Sequence, residues 1–316
     1  MNNNKLVVLM LGGARRVSMA ELLKRSGKRL GYDIEIVSYE LDENVPIAIV
    51  GKVIVGLRWN DPEVVADLER VIREYDVKIV LPFVDGAIEI ASRLRDLLPD
   101  VFIPVSDFDL SKAMFDKVEA AAMFKEAGIP IPLTYSVISA EMPAIAKPRH
   151  GSSSRGIKIF HNIEDLMHLD NLSDYLVQEY IEENSEYTVD CFVDKDGQPM
   201  VIVPRKRLEV MGGEVTRTET CRIEELHELS LRVLGTFPLR GPVTLQFLHD
   251  HKQNRYLLME VNPRLGGGAI CSIYAGAPLT DYIIMEALGI PISPCTDWAD
   301  KTLMARYQKE AIFYGN

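Results

Sequence analysis

The chain has 316 residues, 47% of them apolar, which is too long for one small core and allows several lobes. Its formal net charge of −11 argues against broad binding to nucleic acid or anionic membranes, though not against a small anion met by a local cluster of positive groups. No window approaches the ~18 uninterrupted apolar residues of a membrane span, the N-terminal stretch carries no small-residue cleavage site, and the scattered Cys191, Cys221, Cys271 and Cys295 read as free thiols of a cytoplasmic protein.

Residues 1–105 alternate strand and helix. KLVVLML reads as a strand, SMAELLKRSGKRL as a helix, and YDIEIVSYE and KVIVGL as strands. DPEVVADLERVIREY then reads as a helix, VKIVLP as a strand, DGAIEIASRLRDLL as a helix and VFIPV as a strand. Apolar strands alternating with amphipathic helices predict a parallel sheet covered on both faces, with ligands beyond the carboxyl ends of its strands. The loops there are GGARR (12–16) and PFVDG (82–86). The first lacks the GxGxxG spacing of a dinucleotide site. It is a tight turn or a loop whose arginines meet an anionic substrate, which makes Gly13, Arg15 and, from the second loop, Asp85 candidate substrate residues.

The pattern changes near residue 106. Ser106 is placed to cap a short helix, and AMFDKVEAAAMFKEAG reads as one helix closed by Gly128. IPIPLTYSVI reads as extended chain. PAIAKP and IKIF then read as short strands around the loop RHGSSSRG, a mobile flap. YLVQEYI and EYTVDCFVDKDGQPMVIVPRKRLEV read as strands, the latter folded at DKDG. After the helix IEELHELSLRVLGTF, PVTLQFLHDHKQNRYLLMEVN predicts a long hairpin, and LTDYIIMEALG one more helix.

The hairpin carries the chemistry. Side chains alternate along a strand, so Glu260 and Asn262 share a face. With a turn around 250–254 and no bulge, Gln246 lies opposite Glu260. Three oxygen-bearing side chains on one face suit Mg²⁺, which takes one or two carboxylates and completes its shell from water and phosphates. Each alone is ordinary for the wet face of a hairpin. Arg264 and three glycines follow, where backbone can pass close to a ligand. Upstream, Lys117 opens a helix after Asp116, and Lys147 ends a strand before the glycine/serine loop, whose N–H groups can meet phosphate oxygens. Lysines and Mg²⁺ bridging phosphates are the recurring parts of phosphoryl transfer.

Assembled in this order, these motifs resemble the ATP-grasp superfamily, especially its carbamoyl-phosphate synthase large-subunit-like branch. The resemblance covers nearly the whole chain. It implies an α/β protein with an N-terminal pre-ATP-grasp parallel α/β domain (1–105) and a two-lobed α+β ATP-grasp fold, made of a lid lobe (106–175) and a catalytic lobe (176–316). On it, Lys117 and Lys147 bind ATP, and His150, Gly151, Ser152, Ser153 and Gly156 form the phosphate flap. VQEYI is the hinge, where Glu179 accepts from the adenine amino group and the Tyr180–Ile181 backbone meets the ring edge. Glu186 binds the ribose hydroxyls, Gln246, Glu260 and Asn262 hold the metal, and Arg264 with Lys147 is catalytic. Residues 204–219 match no family motif. Their Arg205, Lys206, Arg207 and Arg217 line the acceptor-substrate site or form a solvated basic strand.

The resemblance implies an ADP-forming ligase that uses ATP and one or two Mg²⁺, with Mn²⁺ able to substitute. It would activate a small-molecule carboxylate as an acyl phosphate and couple it to an amine acceptor, with no nucleic-acid or membrane partner. It allows a homodimer. A single module stands where the full synthetase carries two, so carbamoyl-phosphate-type chemistry, a kinase on the same scaffold and a non-catalytic ATP-binding subunit remain as alternatives.

Overall fold

The computed structural model describes residues 4–151 and 155–314. The first layer runs β1 (Lys5–Leu11), α1 (Val17–Leu30), β2 (Asp33–Glu40), β3 (Lys52–Val55), α2 (Val64–Glu74), β4 (Val77–Pro82) and α3 (Asp85–Leu97). The strands form a parallel sheet in the order β3-β2-β1-β4. Alternation along β1 explains its cover: Leu6, Val8 and Met10 pack with Met19, Ala20 and Leu23 of α1, while Val7, Leu9 and Leu11 pack with α2 and α3. VFIPV contributes only the parallel bridge Ile79–Phe102.

Two helices follow, α4 (Phe108–Phe115) and α5 (Lys117–Glu126), where one was expected. Asp116 divides them. Its extended backbone ends α4, and its carboxylate accepts from the N–H groups of Val118 and Glu119 to cap α5. Ser106 caps nothing; its hydroxyl accepts from the Arg240 N–H at 3.1 Å. Then come β5 (Ala144–Pro148), β6 (Lys158–Phe160), α6 (Ile163–Met167) and β7 (Tyr175–Glu179), a small lid whose sheet runs β6-β5-β7 around Ala144, Ala146, Leu166 and Val177.

The remaining elements are β8 (Asn184–Val193), β9 (Pro199–Met211), β10 (Glu214–Thr220), α7 (Glu224–Thr236), β11 (Gly241–Asp250), β12 (Arg255–Asn262), α8 (Ala269–Tyr274), α9 (Leu279–Ala287) and β13 (Leu303–Ala305). Their sheet runs β12-β11-β8-β9-β10-β13. Helices α4, α5 and α7 bury one face of it. On the other face, Phe192, Val201 and Val203 join α9 and the α1 side of the first sheet in a single core. Ser26 and Thr280 share a 2.8 Å hydrogen bond across that junction, and Arg29 pairs with Asp281 at 2.5 Å. This shared core fixes the loops after β1 and β4 over the floor of the six-stranded sheet.

Candidate active site

The hairpin register confirms the expected opposition by a different route. Pairing runs from Asp250–Arg255 to Phe247–Leu258, slips by one residue, and resumes at Gln246–Glu260. Met259 is the extra residue. Without this bulge the four-residue turn would set Gln246 against Met259. Leu245 and Phe247 point into the core. Gln246, Glu260, Asn262 and Arg264 line one cavity of about 280 Å³. Asn262 is 2% exposed; its Oδ1 accepts from Arg264 at 3.2 Å, and its Nδ2 is buried with no partner among the described residues. One carboxylate beside two amide oxygens fits a magnesium ion, and the orphaned amide nitrogen is the kind of group that an incoming phosphate oxygen satisfies.

A second cavity, about 320 Å³, lies between the lid and the hairpin. Ile145, Leu176, Leu248 and Met259 give it apolar walls, and Lys117, Lys147, Gly151, Tyr180, Ile181 and Glu186 also line it. The sequence pointed to none of the apolar four; the bulge is what turns Met259 inward. Lys117 donates to the Gly151 carbonyl at 2.7 Å and Lys147 to Gln178 Oε1 at 3.0 Å. Burial pushes the Lys147 ammonium down to about 8, against the pull of Glu260 and with the help of Lys117. Although burial works against it, Asp116 is held below the usual carboxylate range by Arg149 at 2.5 Å and by the capped amides.

Other expected nucleotide contacts differ. The Glu179 carboxylate accepts from Leu133 N–H and pairs with Arg255, both at 2.8 Å. It braces the hinge and also lines the second cavity. His150 is 72% exposed at its side chain and lines neither cavity. Gly156 takes a φ of +75°, where a side chain is strained, and a Cβ there would also meet Pro148 at 2.9 Å. Ser152 and Ser153 lie outside the described residues.

The first cavity is rich in arginine: Arg16, Arg205, Arg207, Arg264 and Arg306 all line it. Arg205 is 1% exposed and spent on Asp190, at 2.6 and 3.2 Å, and on Thr218. Arg207 pairs with Glu186 at 2.9 Å and donates to Gln246 Oε1 at 3.2 Å. Three expected substrate residues fall elsewhere. Arg15 points to solvent, and its neighbour Arg16 faces the cavity. Arg217 is exposed because Thr218, next in β10, takes the inward place. Gly13 is buried, with its N–H and that of Ala14 directed to the Glu40 carboxylate and its Cβ position 3.0 Å from Met10 and Ser38. Asp85 does face the cavity, 3.5 Å from Arg264. Arg16 belongs to the GGARR loop whose arginines were expected to meet an anion, though Arg15 was the candidate; Glu214 and Arg306 were missed because the turn and tail that carry them show no motif.

Both cavities are lined by Arg207, Gln246 and Glu260. A group passed from one to the other would cross at these three side chains.

Residues 171–310 match the family model described as ATP-grasp in the biosynthetic pathway with Ter operon. The carbamoyl phosphate synthase large chain of Methanobrevibacter smithii is 22% identical over 278 residues, covering 78% of this chain and 26% of that one, so this chain spans about a quarter of that relative's length. Among solved structures, the biotin carboxylase domain of Hydrogenobacter thermophilus 2-oxoglutarate carboxylase, in complex with MgADP, ADP and bicarbonate, superposes with a TM-score of 0.75 at 18% identity, over 94% of this chain and 73% of that one. Staphylococcus aureus N5-carboxyaminoimidazole synthetase with ADP gives 0.73 at 17% identity, over 93% and 80%. Among the described residues no helix is long and apolar enough to cross a membrane.

Proposed function

We propose that this chain, an ATP-grasp protein by fold and by the family match of its second half, is an ADP-forming ligase that activates a carboxylate as an acyl phosphate and passes the acyl group to an amine. The observation that carries this reading is the shared wall of Arg207, Gln246 and Glu260 between an apolar-walled cleft with two lysines and an arginine-rich pocket. ATP in the first places its γ-phosphate toward the wall; an acid in the second meets it from the other side.

A carboxylate oxygen bonds to the γ-phosphorus as the bond to the bridging oxygen breaks, and ADP leaves. The amine nitrogen then attacks the acyl carbon, inorganic phosphate departs, and the ammonium proton goes to solvent. Gln246, Glu260 and Asn262 would hold a magnesium ion, which when bound neutralises phosphate charge. Lys117, Lys147 and Arg264 add fixed positive charge where negative charge develops, so no protein nucleophile is required. The likeness to two structures solved with ADP supports the nucleotide half of this assignment.

The test is incubation with ATP, Mg²⁺, hydroxylamine and a panel of carboxylic acids, resolving the nucleotides. An acyl phosphate acylates hydroxylamine, so ADP and a hydroxamate are expected together. AMP as the main product would overturn the assignment. ADP with a stable phosphorylated product would indicate a kinase.

A further inference from the structure

Resting on the ligase reading, a second feature of the arginine pocket narrows the class of acid. Arg207 is engaged by Glu186 and Gln246, and Arg264 by Asn262 and Asp85. Arg16 and Arg306 line this pocket but not the nucleotide cleft. They reach the same spot from opposite ends of the chain. A Cβ built on Gly267 would lie 2.7 Å from one nitrogen of Arg16 and 2.9 Å from one of Arg306, so the two guanidinium groups sit side by side against that glycine.

Their neutralisation is incomplete. Arg306 pairs with Glu214 at 2.6 Å and donates to the Gly267 carbonyl at 2.6 Å. For Arg16 the ion partner among the described residues is that same carboxylate, at 4.0 Å, and its side chain makes no hydrogen bond among them. Burial depresses the Arg16 pKa, and Arg264 and Arg306 depress it further, against Glu214. Two guanidinium groups and one carboxylate leave the corner with positive charge in surroundings that penalise it.

We propose that the Arg16–Arg306 corner binds a second anionic group, a carboxylate or phosphate, on the acid that is activated, so that the substrate is at least a dianion. The planar, five-donor guanidinium suits either group. Glu214 then orients Arg306 rather than saturating the corner, and Gly267 is glycine because a side chain would displace both cations.

The experiment uses hydroxylamine as acceptor, so that only an anion on the acid can engage the corner. Hydroxamate formation is compared for α,ω-dicarboxylates and phosphorylated acids against matched monocarboxylates. Loss of a charge-assisted contact predicts that Arg306→Gln and Arg16→Gln raise KM for the preferred dianion about tenfold or more while changing KM for monoacids about twofold or less. Gly267→Ala, which keeps every charge but pushes both guanidinium groups aside, gives the same pattern, and thermal unfolding confirms that each variant is folded. Equal use of mono- and dianionic acids by the wild type, or an equal loss for both in the variants, overturns the proposal while leaving the ligase reading intact. If no acid yields hydroxamate, the ligase reading fails, and the corner is judged by calorimetric titration of succinate and propionate. Tighter succinate binding that Arg306→Gln removes supports the corner; equal binding overturns it.

Discussion

Arg207 joins Glu186 to Gln246, at 2.9 and 3.2 Å, and so ties the expected ribose carboxylate to an expected metal ligand through one guanidinium. Nη1 makes both contacts, Nη2 donates to the Gly213 carbonyl at 3.2 Å, and Nε is buried without a partner among the described residues. Arg207→Met should lower kcat about tenfold to a hundredfold, the range of one or two charge-assisted hydrogen bonds. Arg207→Lys should recover only part of this, since one ammonium can meet the two acceptors of Nη1 but cannot also reach the Gly213 carbonyl that Nη2 holds. Steady-state ADP release measures both; wild-type turnover in the methionine variant would show the bridge to be idle.

Glu260 supplies the one carboxylate among the expected metal ligands and stands in the wall between the cavities. Glu260→Gln keeps the shape and removes the charge. Turnover should fall at least about a hundredfold, and the Mg²⁺ concentration giving half-maximal rate should rise. Because the side chain faces a cleft rather than the core, circular dichroism and the unfolding temperature should stay near wild type. A variant that is active, or one that is unfolded, would refute this placement.

Period and punctuation made the large features legible. Alternation of strands and amphipathic helices announced the parallel sheet, and period two placed Glu260 and Asn262 together. What escaped depends on tertiary geometry. The slip at Met259 that brings Gln246 to Glu260 is a one-residue event with no residue signature. Of the adjacent Arg15 and Arg16, only the helix start decides which faces inward, and it chose Arg16. Glu179 lines the second cavity as its place in the hinge suggests, but its partners Leu133 and Arg255 come from segments that only folding brings near. Strand β10 and α8 follow glycine-rich turns whose neighbours carry mixed periodicity.

The depressed Lys147 gives nucleotide binding a measurable proton linkage. With its free-state value at about 8, the ammonium loses its proton as pH rises through that value. Phosphate oxygens favour the charged form, so the bound-state value is higher. Between the two values the complex holds more protons than the free protein, hence affinity falls as pH rises and binding takes up protons. Calorimetry of ADP without added metal ion, at pH 8 in buffers of different ionisation heat, should show this uptake. Lys147→Arg, charged throughout, should abolish it. An uptake that persists in the arginine variant would assign the proton to another group.

Beneath the glycine loop, Asp190 accepts from Arg205 through both oxygens and from Ser272 at 2.6 Å, and all three side chains are buried. A Cβ on Gly268 would lie 2.6 Å from Arg205, so this pair is the seat on which residues 266–268 rest. Removing one partner strands the other charge in the interior. Asp190→Leu or Arg205→Met alone should therefore cost about 3–5 kcal/mol of stability. The double variant Asp190→Leu/Arg205→Met leaves no orphaned charge and should cost clearly less than the sum of the two, with a coupling of about 1–3 kcal/mol. Urea unfolding of the wild type and the three variants measures the cycle. Strict additivity would mean that the two side chains contribute independently and that the pair is not what supports the loop. A double variant that is stable but has lost ADP release would separate the two roles: the pair would then be dispensable for folding and needed to hold the arginine pocket in shape.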